Sequence, residues 1–171
     1  ESARTKIPRD NSVVLENVSY SYDGEKDAIH NISLNIKSGQ TVAFVGPSGG
    51  GKTTLANLIS RFFDAQKGKV LIGGVNIREF KKDNLMNMVS FVFQDSRLIK
   101  TSILENVKMA KPNASRQEVI EALKAAQCED IIKKLPNGVD TVIGTKGVYL
   151  SGGEQQRIAI ARAMLKNAPI L

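Results

Sequence analysis

The first half of the chain carries the hydrophobic patterns of short β-strands. Val13–Ser19 is a strand candidate, and Asn31–Ile36 alternates apolar and polar residues as a half-buried strand does. Thr41–Val45 is a continuous apolar run, which predicts a strand buried on both faces. A glycine-rich segment follows this run, and a helix is predicted over Lys52–Phe63.

Two further strand patterns follow that helix. Val70–Ile77 has Gly73-Gly74 at its centre, which predicts a hairpin closed by a primed turn, because such turns need a positive φ at both central residues. Val89–Phe93 is another apolar strand candidate.

The second half is more helical. Ser115 with Glu118 three residues later is a capping box, which predicts a helix through Ala126. Ser151 and Glu154 repeat this pattern ahead of an apolar face at helical spacing. Asn167-Ala168-Pro169 ends that helix, and Ile170-Leu171 resembles the opening of another buried strand.

Composition adds limits on the kind of protein. With 171 residues, the length suits one domain, and 42% hydrophobic with 24% charged residues is ordinary for a globular one. The single cysteine, Cys128, excludes an internal disulfide and fits a reducing compartment. A net charge of +7 is spread along a chain with no Trp and 5% aromatic residues, which does not favour nucleic-acid binding. An anionic ligand or a position beside a membrane explains the sign equally well.

The clearest chemical signal is the loop after the apolar run. It reads Gly46-Pro47-Ser48-Gly49-Gly50-Gly51-Lys52-Thr53-Thr54 and matches the pattern G-x-x-x-x-G-K-[ST]. Glycines let successive backbone N–H groups converge on phosphate oxygens, and the following helix presents its positive end to the same anion. Lys52 would reach the outer phosphates, and the Thr53 hydroxyl can ligate Mg²⁺. The loop predicts a nucleoside-triphosphate site.

A second motif narrows the kind of nucleotide site. It reads Leu150-Ser151-Gly152-Gly153-Glu154-Gln155-Gln156-Arg157. Together with the phosphate loop it resembles the nucleotide-binding domain of an ATP-binding cassette (ABC) transporter, from about Val13 to the last residue. The resemblance implies an α/β fold: a P-loop NTPase core with a mixed sheet flanked by helices, an antiparallel β subdomain and a helical signature subdomain, incomplete at the C-terminus. It also implies a linker over residues 1–12, a nucleotide-binding domain over 13–171 and a helical subdomain over about 95–150.

The same resemblance assigns roles to single residues. Tyr22 lies where the family has an aromatic ring that stacks on adenine. Tyr20 is the nearest competitor, but strand alternation places both on one face, so the choice of Tyr22 rests on the resemblance. Gln94 matches the glutamine that contacts Mg²⁺ or the attacking water. Ser151, Gly152, Gly153 and Glu154 would contact the nucleotide of a second domain. The expected cofactors are ATP and Mg²⁺, with Thr53 and Gln94 as metal ligands.

For the whole protein, the resemblance implies ATP hydrolysis that powers transport across a membrane. Two nucleotide-binding domains would sandwich ATP head to tail, at the cytoplasmic face of the membrane, with transmembrane domains on the same chain and no nucleic-acid partner. The alternatives are a soluble ABC-type ATPase of DNA maintenance or translation, and a nucleotide-binding fragment that does not hydrolyse ATP. Leu98 and Ile99 are expected either to face coupling helices of the transmembrane partner or to belong to the core of the helical subdomain.

Three elements of the family pattern are absent from these residues: an Asp-Glu pair after an apolar strand, the loop that follows it, and a late histidine. We therefore expect no catalytic base within this chain and place it beyond Leu171. The chain alone is expected not to hydrolyse ATP, and to be unstable or oligomeric. Gly144-Thr145-Lys146-Gly147 also departs from the Gly-Glu-Arg-Gly common in exporter-type domains.

Overall fold

The computed structural model describes residues 6–144 and 148–171 and divides the chain into two compact units, Glu1–Met88 and Val89–Leu171.

The first unit is built on a four-stranded antiparallel sheet. Its strands are β1 (Val13–Ser21), β2 (Asp27–Ile36), β3 (Lys67–Ile72) and β4 (Val75–Asn76), in the order β2-β1-β3-β4. Gly73 and Gly74 join β3 to β4 with φ of 55° and 82°, so the primed turn is confirmed. The strands predicted at residues 13–19 and 31–36 are confirmed and are longer than predicted.

Three helical segments complete this unit: α1 (Lys52–Ile59), a 3₁₀ turn (Ile77–Glu79) and α2 (Lys82–Met88). The prediction that α1 reaches Phe63 is wrong. Arg61 adopts a left-handed conformation with φ of 55°, and the Phe62 N–H donates to the Asn57 carbonyl at 2.9 Å. This is a Schellman ending, which turns the chain away from the helix axis although no glycine marks it.

The second unit is helical. It contains α3 (Ile103–Lys108), α4 (Arg116–Ala125), α5 (Glu129–Lys134), a 3₁₀ turn (Gly138–Asp140) and α6 (Gly152–Lys166). Helix α6 packs on α3 and α4 around fully buried side chains. The most buried of these are Ile103, Val107, Val119, Ile158 and Ala161.

Both predicted capping boxes are confirmed. Ser115 begins α4 and Ser151 begins α6, and each accepts a hydrogen bond from the backbone of the glutamate three residues later. Asn167, with φ of 53°, ends α6 at its predicted boundary.

The predicted strands at Thr41–Val45 and Val89–Phe93 do not form. Val45 is 93% exposed and Phe93 is 55% exposed. A strand needs a neighbour for its backbone hydrogen bonds, and no described strand of the first unit pairs with residues 41–45. For residues 89–93, the pairing that the described part of the chain shows is one parallel bridge between Val89 and Ile170, supported by a 2.7 Å hydrogen bond from the Ser90 N–H to the Ile170 carbonyl.

Among the described residues, none of the helices combines the length and the apolar character needed to cross a membrane.

Candidate nucleotide-binding site

The phosphate loop forms a tight curve that leads directly into α1. Gly49 and Gly51 have φ of 78° and 81°, and the Gly50 N–H donates to the Pro47 carbonyl at 3.1 Å. Gly51 is the N-cap of α1. The pattern of glycines read from the sequence is therefore required by the backbone at two of its positions.

Gly51 is also fixed by packing. A Cβ at this position would lie 2.6 Å from the Ala28 carbonyl oxygen and 2.8 Å from Cδ1 of Ile29, both in β2. At Gly50, a Cβ would lie 3.0 Å from the Pro47 carbonyl oxygen. The loop thus lies against β2 at a distance that excludes any larger residue at position 51.

The charges around the loop suit an anion. The Lys52 ammonium donates to the carbonyls of Gly46 and Pro47 at 2.9 and 2.6 Å, so it lies on the inner side of the curve. The first turn of α1 has no acidic residue, and Gly46–Gly50 are exposed. The positive end of a helix, an ammonium group and an exposed backbone are all features that suit a phosphate group.

The two threonines that follow Lys52 differ in their surroundings. Thr53 is exposed beside the loop, whereas Thr54 is buried. The Thr54 hydroxyl shares a 2.9 Å hydrogen bond with the hydroxyl of Tyr22. The structure therefore brings the predicted base-binding tyrosine into direct contact with the phosphate loop, 32 residues further along the chain.

Tyr22 has an exposed ring with defined neighbours. It is 61% exposed, and its ring centroid lies 5.1 Å from that of Tyr20 and 5.8 Å from that of Phe63. Strand alternation correctly predicted that Tyr20 and Tyr22 share a face. The sequence did not predict that Phe63 lies beside these tyrosines, because the predicted helix ran through it. The one available sign was that an aromatic residue stands at the end of the predicted P-loop helix.

The second predicted surface is the start of α6. The Ser151 N–H and hydroxyl donate to Oε2 of Glu154 at 2.8 and 2.9 Å, and the Glu154 N–H donates to the Ser151 hydroxyl oxygen at 3.3 Å. The Ser151 N–H, and after it the Ser151 hydroxyl, hold the pKa of Glu154 below its usual value. The carboxylate thus stays ionised at the positive end of the helix.

Gly152 and Gly153 have no role in the packing of their unit, as far as the described residues go. A Cβ at either position would meet no atom within 4 Å, and neither has a positive φ. Glycine in a helix is less favourable than alanine by about 0.5–1 kcal/mol. Neither packing nor backbone conformation among the described residues therefore explains these two glycines.

Arg157 anchors this surface to α5. Its guanidinium donates to both carboxylate oxygens of Asp130, at 2.8 and 3.1 Å, and to the Gln127 carbonyl at 2.6 Å. The Arg157 hydrogen bond is the main reason why the pKa of Asp130 is lowered. A bidentate pair of this kind fixes orientation as well as charge, so α5 holds the first turns of α6 in place.

Gln94 lies in the second unit, exposed in the bend after residues 89–93. The described residues contain no cluster of three His, Cys, Asp or Glu side chains able to hold a metal. The two predicted metal ligands, Thr53 and Gln94, belong to different units. Each carries a neutral side-chain oxygen, a group type that suits Mg²⁺ when phosphates supply the charge.

Leu98 and Ile99 differ in their surroundings. Leu98 packs against the helical core, while Ile99 is 52% exposed. Both line a groove of about 210 Å³ with Lys100 and Tyr149. Thr145, Lys146 and Gly147, where the sequence departs from the exporter pattern, lie outside the described residues.

Comparison with known proteins agrees with these features. The family model described as "ABC transporter" matches residues 29–171. One relative is the YgaD protein of Bacillus subtilis strain 168, which is provisionally named a multidrug export ATP-binding/permease protein. It is 48% identical over 160 residues, which are 93% of this chain and 28% of YgaD. A similarly named Staphylococcus aureus NCTC 8325 protein is 48% identical over 158 residues, 92% of this chain and 27% of that protein.

The solved structure of a bacterial Atm1-family ABC exporter with ATP bound superposes with a TM-score of 0.88 at 41% identity, over 97% of this chain and 29% of that one. This likeness confirms the expected α/β fold of an ABC nucleotide-binding domain. The chain spans less than a third of the length of these relatives. The family model matches most of the chain, and the chain has a P-loop at the start of α1 and a Ser-Gly-Gly-Glu cap at the start of α6. The chain therefore belongs to the ABC transporter family.

Proposed function

We propose that the chain is the ATP-binding domain of a membrane exporter, and that the full-length protein hydrolyses ATP to power transport of a substrate across the membrane. The observation that carries this proposal is the loop Gly46–Thr54, which curves around the Lys52 ammonium at the positive end of α1. The ATP-binding/permease names of the relatives support transport over the soluble alternatives.

Within this proposal ATP binds along the first unit. The Tyr22 ring stacks on the base, and the residues Gly46, Pro47, Ser48, Gly49, Gly50, Gly51, Lys52, Thr53 and Thr54 hold the phosphates. Thr53 and Gln94 are the ligands that this chain offers to Mg²⁺, which when bound neutralises phosphate charge.

The start of α6 serves a second nucleotide. One chain carries a complete phosphate loop and, separately, an exposed helix N-terminus with two glycines that its own packing does not require. We infer that Ser151–Glu154 contact the ATP held by another nucleotide-binding domain, which gives a head-to-tail dimer with two ATP molecules at the interface.

The transmembrane partner is proposed to lie on the same chain, with this domain at the cytoplasmic face of the membrane. Residues 1–12 act as the linker to it, residues 13–171 belong to the nucleotide-binding domain, and about 95–150 form the helical subdomain. The groove lined by Leu98, Ile99 and Tyr149 offers exposed apolar side chains for a helix of that partner.

The test of this function is Lys52→Ala in the full-length protein, with Lys37→Ala as the matched control. Lys37 is an exposed lysine just after β2. Loss of the Lys52 ammonium should lower the ATPase rate by about 100-fold or more, as loss of a charge-stabilising donor does in other enzymes. Lys37→Ala should keep the wild-type rate. An ATPase rate that Lys52→Ala leaves unchanged contradicts the proposal.

A further inference from the structure

Three aromatic rings form a cluster beside the phosphate loop: Tyr20 near the end of β1, Tyr22 just after that strand, and Phe63 in the segment after α1. Tyr20 and Phe63 are stacked, with centroids 5.4 Å apart and an interplanar angle of 18°. Tyr22 stands nearly perpendicular to both, at 90° to Tyr20 and 84° to Phe63. Perpendicular rings at these distances attract one another through their quadrupoles.

Phe63 is held by hydrogen bonds on both sides of it in the chain. Before it, the Schellman ending at Arg61 fixes the exit from α1. After it, the side-chain amide of Gln66 accepts from the Ser21 N–H and donates to the Ser21 carbonyl, each at 2.8 Å. The Gln66 amide thus pairs with β1 as another strand would, one residue before Tyr22.

The far end of Tyr22 is also restrained. Its hydroxyl shares the 2.9 Å hydrogen bond with Thr54, which is buried. The ring is therefore fixed by two aromatic neighbours and by its hydroxyl, while most of its surface stays exposed. A ring fixed in this way loses little conformational freedom when a ligand stacks on it.

We propose that Phe63 and Tyr20 are positioning residues for the nucleobase, which set the plane of the Tyr22 ring before the nucleotide arrives. This inference rests on the proposed stacking role of Tyr22. It assigns to Phe63 an effect on the base alone, because the phosphates are held by the loop and by Lys52. A substitution at position 63 should therefore weaken binding of the purine and leave binding of the triphosphate unchanged.

The test compares ATP with inorganic tripolyphosphate, which has no base, by calorimetric titration of the full-length protein. Phe63→Leu should raise the Kd for ATP by about 3- to 10-fold, a smaller loss than removal of a ring that itself stacks on the base. It should leave the Kd for tripolyphosphate unchanged. Phe62→Leu makes the same chemical change one position earlier and should alter neither Kd. Tyr20→Leu repeats the test if Phe63→Leu does not fold.

Tyr22→Ala separates this inference from the proposed function. It should raise the Kd for ATP but not for tripolyphosphate. If it changes neither, the stacking role of Tyr22 fails, and the inference fails with it. If Tyr22→Ala has the expected effect and Phe63→Leu does not, only the positioning role is overturned. A loss of both ligands in Phe63→Leu would equally overturn it, because the residue would then act on the fold.

Discussion

The glycines of the two motifs have different physical reasons. Gly51 combines a φ of 81° with a contact on β2 that leaves no space for a Cβ. Gly153 has no positive φ, and a Cβ added to it would meet no atom within 4 Å. The sequence shows both as motif glycines; only the structure separates the one that the fold requires from the one that it does not.

Gly51→Ala should destabilise the first unit more than Gly39→Ala. Both residues have φ near +80°, so both substitutions carry left-handed strain of about 1–2 kcal/mol. Only Gly51 adds an overlap with the Ala28 carbonyl, worth about 1–3 kcal/mol more, because nothing lies within 4 Å of a Cβ at Gly39. Urea unfolding of the two variants measures the difference. Equal losses in the free energy of unfolding would show that the loop relaxes away from β2.

Gly153→Ala should have opposite effects on stability and on activity. The helix should gain up to about 0.5–1 kcal/mol, because alanine is the better helix former and meets no neighbour. The ATPase rate of the full-length protein should fall, because the added methyl group obstructs the approach of a phosphate. Thermal unfolding and a steady-state ATPase assay measure the two effects. A wild-type rate in this variant would contradict the proposed role of the start of α6.

At the level of helices, strands and turns, the sequence predicted those features that adjacent residues determine. The boxes at Ser115 and Ser151 and the Gly73-Gly74 turn are written in adjacent residues, and all three form as predicted. The end of α1 was not predictable, because arginine rarely adopts the left-handed conformation that Arg61 has. The strands at residues 41–45 and 89–93 depend on neighbouring strands, which an apolar pattern does not specify.

Ser115→Ala should lower the free energy of unfolding of the second unit by about 1 kcal/mol, the usual value for loss of an N-cap side chain. The Ser115 hydroxyl accepts from the Glu118 N–H at 3.2 Å, and this bond begins α4. Ser38→Ala, at an exposed serine in the turn after β2, is the control and should change stability by less than about 0.5 kcal/mol. Urea unfolding followed by circular dichroism measures both variants. Equal losses in the free energy of unfolding would contradict the role of Ser115 as the N-cap of α4.

The same box predicts a pH dependence. The Lys111 ammonium first, and then the Ser115 N–H and hydroxyl, lower the pKa of Glu118 from 4.5 to about 2. An acid with a lowered pKa in the folded state stabilises it fully above its unfolded pKa and loses this effect as the pH falls toward the folded pKa. The stability difference between wild type and Glu118→Gln should therefore shrink between pH 4.5 and about 2. A difference that is constant over this range would contradict the pKa.

For the whole molecule, the family resemblance predicted the fold class, and the pairing of two motifs carried that prediction. The resemblance did not predict which apolar segments lie exposed here. Val45, Phe93 and Leu171 are 93%, 55% and 67% exposed. Apolar side chains exposed in this way are removed from water when two copies associate.

The chain of residues 1–171 alone should accordingly self-associate at micromolar concentration, because these apolar side chains are removed from water by contact between copies. Sedimentation velocity over a range of concentrations measures this. A monomer that unfolds in one cooperative transition above about 50 °C would contradict the expectation.

In the proposed dimer, the start of α6 in one domain completes the phosphate site of another. This arrangement is tested with full-length pairs that carry Lys52→Ala and Gly153→Asp, isolated by two different affinity tags. With the substitutions on opposite chains, one composite site is intact, and about half of the wild-type ATPase rate should remain, since a two-fold pair has two equivalent sites. With both substitutions on one chain and a wild-type partner, every site has one defect and the rate should fall to background. The reverse outcome, with activity only when one chain carries both substitutions, would show that each chain completes its own site and would contradict the head-to-tail arrangement.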